Sequence, residues 1–235
     1  MSLAINDLDS IEWRISDAPV DYPEALAFME RRAAEIRAGT APQTVWLLEH
    51  PPLYTGGTSA KPEDLLTAGG FPVYPTGRGG QYTYHGPGQR IGYVMLDLAR
   101  RGGDVRRFVH DLEEWLIATL ARFNVRGERR EGRIGIWVDR GPHPLGGRRE
   151  DKIAALGIRV RRGCTFHGLA FNIGMDLEPF HRINPCGYQG LQVTSMQDLG
   201  GPSSMEAVKP VLLDHIARQF GLVLRPGISP PSTLL

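Results

Sequence analysis

Lysine is nearly missing from this chain. Of 27 basic residues only Lys61, Lys152 and Lys209 are lysine; all the others are arginine. A chain with that bias uses arginine wherever a fixed positive charge is enough, so charge alone does not account for a lysine in an apolar setting. Cysteine is scarce too. Cys164 and Cys186 cannot build a disulfide framework, and two thiols suit a reducing compartment. No apolar run approaches the roughly 18 residues of a membrane span. The N-terminal MSLAINDLDSIEW carries acids and has no basic stretch ahead of an apolar one, so it does not read as a secretory leader. A cytoplasmic protein is expected, with no membrane contact. The formal net charge of +1 argues against a nucleic-acid partner, which leaves a strong basic excess.

A chain of 235 residues is long enough for one core without disulfides or metals. One domain is expected over residues 1–225, with a proline-rich tail, disordered or loosely packed, over 226–235. Asp21 reads as an N-cap with Pro23 in the first turn, and Leu26, Met29, Ala33 and Ile36 recur at helical spacing up to Gly39. Thr44 to Glu49 is a short buried strand, stopped by His50-Pro-Pro. Residues 56–92 are rich in glycine and proline and alternate aromatic with polar residues, which suggests strands joined by a structured loop. Gly92 to Leu98 is a further strand. Asp104 opens a helix whose stripe is Val105, Phe108, Leu112, Trp115, Leu116, Leu120 and Phe123, with Arg106, Arg107, Asp111, Glu113 and Glu114 mostly off it. Strands are expected over Arg133 to Asp139, Lys152 to Arg162 and Thr165 to Ile173, with Arg140 to Asp151 an exposed loop. A last helix covers Glu206 to Phe220 with Pro210 inside it. This order suggests an α+β domain with a mixed, largely antiparallel sheet flanked by helices.

Lys61 and Lys209 stand in polar surroundings. Lys152 opens the apolar Lys-Ile-Ala-Ala-Leu-Gly-Ile-Arg-Val, where an amine can exchange a proton and a guanidinium cannot. Cys186 follows Pro185 and precedes Gly187, a rigid and uncrowded place for a thiol that must reach a carbonyl carbon. A nearby ammonium would raise its thiolate fraction. Cys164 reads instead as a small buried hydrophobe. Five glycines between Thr76 and Gln89 let backbone approach a ligand, and Arg78, Gln81, Thr83, His85 and Gln89 are many polar side chains for a plain turn. The spacing fits neither a dinucleotide fingerprint nor a phosphate loop. Cys164-x-x-His167 lacks the partners of a zinc site, and no G-x-S-x-G elbow occurs.

Arg78-Gly-Gly-Gln-Tyr-Thr-Tyr-His85, Lys152-Ile-Ala-Ala-Leu-Gly157, Phe166-His-Gly-Leu-Ala-Phe-Asn172 and Ile183-Asn-Pro-Cys-Gly187, in this order, resemble the lipoyl(octanoyl) transferases. The resemblance runs from about residue 40 to 220. It implies the fold of the biotin and lipoate protein ligases, no cofactor and no bound metal. The implied reaction moves octanoyl from octanoyl-acyl carrier protein to a lysine of lipoyl domains, those of 2-oxoacid dehydrogenase complexes and of the glycine cleavage H protein. The enzyme would be a monomer. Cys186 would carry the acyl thioester and Lys152 would activate it. Arg78, Gly79, Gly80, Gln81, Tyr82, Thr83, Tyr84 and His85 would line the substrate site, with Ala155, Leu156 and Gly157 and with Gly168, Leu169 and Ala170. Small residues at Ala154–Ala155 and Gly168–Ala170 would leave room for an acyl chain. Amides near Gly187 or in the Gly79–Gly80 turn are candidates for the oxyanion. An ATP-dependent lipoate or biotin ligase, a cysteine hydrolase and a lipoyl-domain binder are the rival readings.

Overall fold

The computed structural model describes residues 11–143, 146–185, 190–220 and 224–226. In chain order the strands are β1 (Ile11–Ile15), β2 (Gln43–Leu48), β3 (Leu53–Gly56), β4 (Val73–Pro75), β5 (Tyr82–His85) and β6 (Gln89–Met95). They continue with β7 (Glu128–Arg130), β8 (Arg133–Pro142), β9 (Arg148–Arg161), β10 (Cys164–Asn172), β11 (Gln192–Val193) and β12 (Leu224–Pro226). The helices are α1 (Tyr22–Ala38), α2 (Val105–Ala121) and α3 (Met205–Phe220).

The main sheet runs β12-β1-β2-β6-β10-β9-β8-β7, with β11 added beside β9. It is antiparallel in its middle and parallel where β1 meets β2 and β12. Side-chain alternation gives the sheet two buried faces. Val45, Leu47, Val94, Leu96, Ala154, Leu169 and Phe171 pack under α2 and α3. Trp46, Leu48, Tyr93, Met95, Phe166 and Ala170 pack under α1. Beside α1 lies a second sheet, β4-β3-β5, with its own aromatic cluster of Tyr54, Tyr84 and Phe180.

Asp21 does hold the N-cap position of α1, and Gly39 ends it at φ 72°, a conformation glycine adopts without Cβ strain. Asp104 caps α2 by accepting from the amides of Arg106 and Arg107. The stripe of α2 differs from the sequence reading at two places. Val105 is exposed, whereas the Glu113 side chain is buried against β8 and Arg129. The helix meets both α3 and the sheet, so its buried arc is wider than one apolar stripe.

The stretch from Arg140 to Asp151 is mostly not a loop. β8 runs on to Pro142 and β9 begins at Arg148, so Lys152 stands inside a strand and not at its start. Cross-strand charge pairs hold this extension: Arg148 with Asp139, and Arg140 with Asp151 at 3.3 Å. Pro226, the last residue of β12, pairs with Trp13 of β1, and residues 227–235 of the expected tail lie outside the described part.

Candidate active site

A cavity of about 480 Å³ opens along the main sheet, bordered by residues of β3 and β5 and also by Val105 and Val109 of α2. One wall is a stripe of small residues. Ala155 and Ala170 are cross-strand partners, and so are Gly157 and Gly168 two positions along. Period-2 alternation puts all four on one face, giving a smooth strip without long side chains. The glycines are needed for close approach. A Cβ on Gly168 would lie 2.0 Å from the Gly92 carbonyl oxygen, and one on Gly157 would lie 3.0 Å from that of Gly79. Ala154 and Leu169, on the alternate positions, pack in the core under α2 and also border the cavity.

The opposite wall is the glycine-rich loop, and Arg78 shapes it from within. Its guanidinium donates to the carbonyls of Gly79, Thr55 and Gln81 and to Thr55 Oγ1, at 2.7–3.0 Å. The Gly79 amide donates to Ile158 O at 3.0 Å, tying the loop to β9. That amide is therefore committed to the fold, which removes it as an oxyanion donor. From Arg78 a hydrogen-bond chain crosses the floor. Thr55 Oγ1 donates to His85 Nε2 (3.1 Å), His85 Nδ1 donates to Gln89 Oε1 (2.7 Å), and Gln89 Nε2 donates to Asn172 Oδ1 (2.9 Å). Asn172 Nδ2 then donates to Thr194 O. The fixed carbonyl ends settle the direction of each bond. Burial pushes His85 down to about 3, so its imidazole is neutral in this chain of bonds.

Two more histidines face the same region. His50 donates to Val20 O and accepts from the Tyr93 hydroxyl at 2.6 Å; burial lowers it to about 4. His167 is 2% exposed, has φ 61°, and is pushed down to about 3 by burial and then by the Arg78 charge. Its left-handed backbone turns its ring towards Tyr93, on the α1 face, beside Phe166. Lys152 marks the other end. It lies where β10 has ended and β11 takes its place beside β9, with Val193 as its partner. Its side chain is buried, its ammonium donates to Ile134 O at 2.9 Å, and it sits 5.2 Å from the Trp137 ring centre.

The pattern of the "Lipoyl protein ligase A/B catalytic domain" matches residues 21–217. The chain belongs to that family. The octanoyltransferase of Paramagnetospirillum magneticum is 64% identical over 211 residues, covering 90% of this chain and 97% of that one. That of Rhodospirillum rubrum is 61% identical over 211 residues, covering 90% and 95%. These relatives make the chain an acyltransferase. Among solved structures, lipoate-protein ligase A bound with ATP superposes with a TM-score of 0.71 at 14% identity, covering 94% of this chain and 90% of that one. A bipartite lipoate protein ligase from Thermoplasma acidophilum gives 0.70 at 14% identity, covering 94% and 88%. At such identity the likeness concerns the fold, and the fold is that of the lipoate ligases, as the resemblance implied.

Of the residues this family membership draws attention to, Arg78, Gly79, Gly80, Gln81, Tyr82, Thr83 and His85 line the cavity, as do Lys152, Ala155, Leu156, Gly157, Gly168, Leu169 and Ala170. Tyr84 does not; it packs in the aromatic cluster, tilted against Tyr54 and edge-on to Phe180. Cys186 and Gly187 lie outside the described residues. The chain reaches that segment from Pro185, a cavity residue, after Asn184 is fixed by two bonds to Asp64. Cys164 is fully buried, and burial raises its thiol. Tyr93, Thr55, Asn172 and His167 also line the cavity, with His50 against Tyr93 and His85, and sequence reasoning missed them as such. The signal available was the presence of polar groups in mostly apolar strands, with His167 and Asn172 both in β10.

Proposed function

We propose that this acyltransferase moves an octanoyl group from the thioester of acyl carrier protein, through Cys186, to a lysine amine of a lipoyl domain. The observation that carries the reading is the apolar, small-residue strip between Gly157–Gly168 and Ala155–Ala170, which leads to a buried lysine in a family whose relatives are octanoyltransferases. A medium acyl chain has the shape and polarity of that strip.

The cycle starts from a Cys186 thiolate paired with the Lys152 ammonium. The thiolate attacks the donor's carbonyl carbon. The bond to the carrier's sulfur breaks, and that sulfur leaves with the proton of Lys152. Lys152 is now a neutral amine and the acyl group rests on Cys186. The acceptor lysine then attacks, Lys152 takes its proton, and Cys186 departs as thiolate. Both partners are restored. Thioester exchange is nearly balanced and amide formation is downhill, so no ATP enters. The neutral imidazole of His85 and the committed guanidinium of Arg78 keep the floor polar and fixed without competing for that proton.

The test is mass spectrometry of the protein incubated with octanoyl-acyl carrier protein and no acceptor. One octanoyl mass is expected on wild type and on Cys164→Ser, and none on Cys186→Ser. Adding a lipoyl domain should discharge it without ATP. An unmodified wild type, or transfer only when ATP is present, would sink the reading in favour of a ligase.

A further inference from the structure

We propose that Glu113 is a positioning residue for Lys152, acting through the peptide unit between Ile134 and Gly135. The proposal rests on the proton-transfer role given to Lys152 above. Glu113 Oε1 accepts the Gly135 N–H at 3.1 Å, and Ile134 O, on the same peptide unit, accepts from Lys152 Nζ at 2.9 Å. Carboxylate, amide and ammonium thus stand in line across β8. The amide dipole has its positive end on the carboxylate and its negative end on the ammonium, and each bond polarises the next. The Glu113 carboxylate is itself fixed, since Oε2 accepts from Arg129 Nε at 3.1 Å. A buried carboxylate left alone would be costly, and these two bonds satisfy it.

Gly135 completes the device. Its φ of 128° is a conformation that side-chain-bearing residues rarely adopt. A Cβ there would lie 2.4 Å from Lys152 Cε and 2.9 Å from Nζ. The β8–β9 register shifts close by, between Ile136 and Trp137, and Glu113, reaching over from α2, adds a bond to this peptide from outside the ladder. The Trp137 ring closes the other side, with the Arg133 guanidinium 4.3 Å from the same ring. Other charges near Lys152 are engaged elsewhere: Arg133 with Glu150, and Asp151 with Arg140.

A chain with three lysines allows a direct readout. The full-length protein is labelled with ¹³C,¹⁵N-lysine, and the side-chain signals are compared in wild type, Glu113→Gln and Glu113→Ala. The Lys152 signal should move in both variants while those of Lys61 and Lys209 stay. In octanoyl transfer, kcat should fall at least tenfold in Glu113→Ala with KM for both partners within twofold. Glu113→Gln keeps an acceptor for the Gly135 amide and should recover much of that loss. If Glu113→Ala does not fold, Glu113→Gln carries the test alone, with a moved Lys152 signal and a several-fold fall in kcat. An unmoved Lys152 signal, or wild-type turnover per folded molecule, overturns the proposal. Wild type that transfers no octanoyl overturns the proposed function instead, and the lysine signals still decide the positioning role.

Discussion

Lys152 and Cys164 are both buried, yet only one has a polar partner built for it. The Lys152 ammonium has the Ile134 carbonyl and the Trp137 ring, whereas Cys164 packs among Met29, Trp46 and Phe166. In the proposed cycle Lys152 gives a proton in one half-reaction and takes one in the other. Arginine keeps the charge but cannot release a proton. Lys152→Arg is therefore expected to lose transfer as fully as Lys152→Ala, by at least the 10²-fold typical of a lost general base. Stopped-flow measurement of acyl loading and discharge in both variants checks this. An arginine variant with most of the wild-type rate would mean that only charge was needed. Lysine scarcity made Lys152 visible in the sequence, because a chain that prefers arginine had to keep it. Glu113 was not visible. It flanks the α2 stripe, three residues before Leu116 and seven before Leu120, and only the packing of α2 against β8 turns that flank inward. His167 was hidden for another reason, because its facing depends on a left-handed φ that no pattern of residue types announces.

The strands that build the cavity wall were legible as strands, and their pairing was not. The small residues of β9 and β10 were apparent from the sequence, but only the register, Ala155 with Ala170 and Gly157 with Gly168, makes them one strip. β1 and β12 escaped notice because five and three residues carry no period of their own, and they are strands only by parallel pairing with each other and with β2. The strip also sets a chain-length limit. Burial contributes about 0.8 kcal/mol per methylene, roughly fourfold in rate or affinity, so burial alone would favour ever longer chains. A slot that stops them must do so by overpacking, at about 1–3 kcal/mol. Leucine at position 155 would fill part of the strip that the alanine pair leaves open. Ala155→Leu should raise the hexanoyl-to-octanoyl ratio of kcat/KM by roughly fourfold to fifteenfold, the worth of one to two methylenes. Competition assays with six-, eight- and ten-carbon donors give the ratio. A ratio that stays at the wild-type value would place the chain elsewhere in the cavity.

Across the whole molecule, the two sheets are joined by a chain of polar groups that starts at the Arg78 guanidinium and continues through neutral side chains. The chain from Arg78 through Thr55, His85, Gln89 and Asn172 to Thr194 connects β3 and β5 with β6, β10 and the segment after β11. His50 and His167 lie beside it. All three histidines are held below the ordinary histidine value of about 6.5, His50 at about 4 and His85 and His167 at about 3, with burial the leading cause. The sign of the pH dependence follows. Above pH 6.5 the rings are neutral whether the chain is folded or not, and they add no pH dependence. Below it the unfolded chain takes up protons that the folded chain refuses, so stability falls as pH drops and goes on falling towards pH 4 and 3. Each ring adds a slope of up to about 1.4 kcal/mol per pH unit. Between pH 6.5 and 5 most carboxylates are still ionised, so the histidines dominate the slope there. Urea denaturation at half-unit steps through that window should show the unfolding free energy dropping towards acid. His50→Gln should lose stability at pH 7 through its broken bonds to Val20 and Tyr93, and its slope should be shallower by one proton. A variant slope equal to that of wild type would mean that His50 takes up its proton in the folded protein, and that the floor of the cavity carries charge at mildly acidic pH.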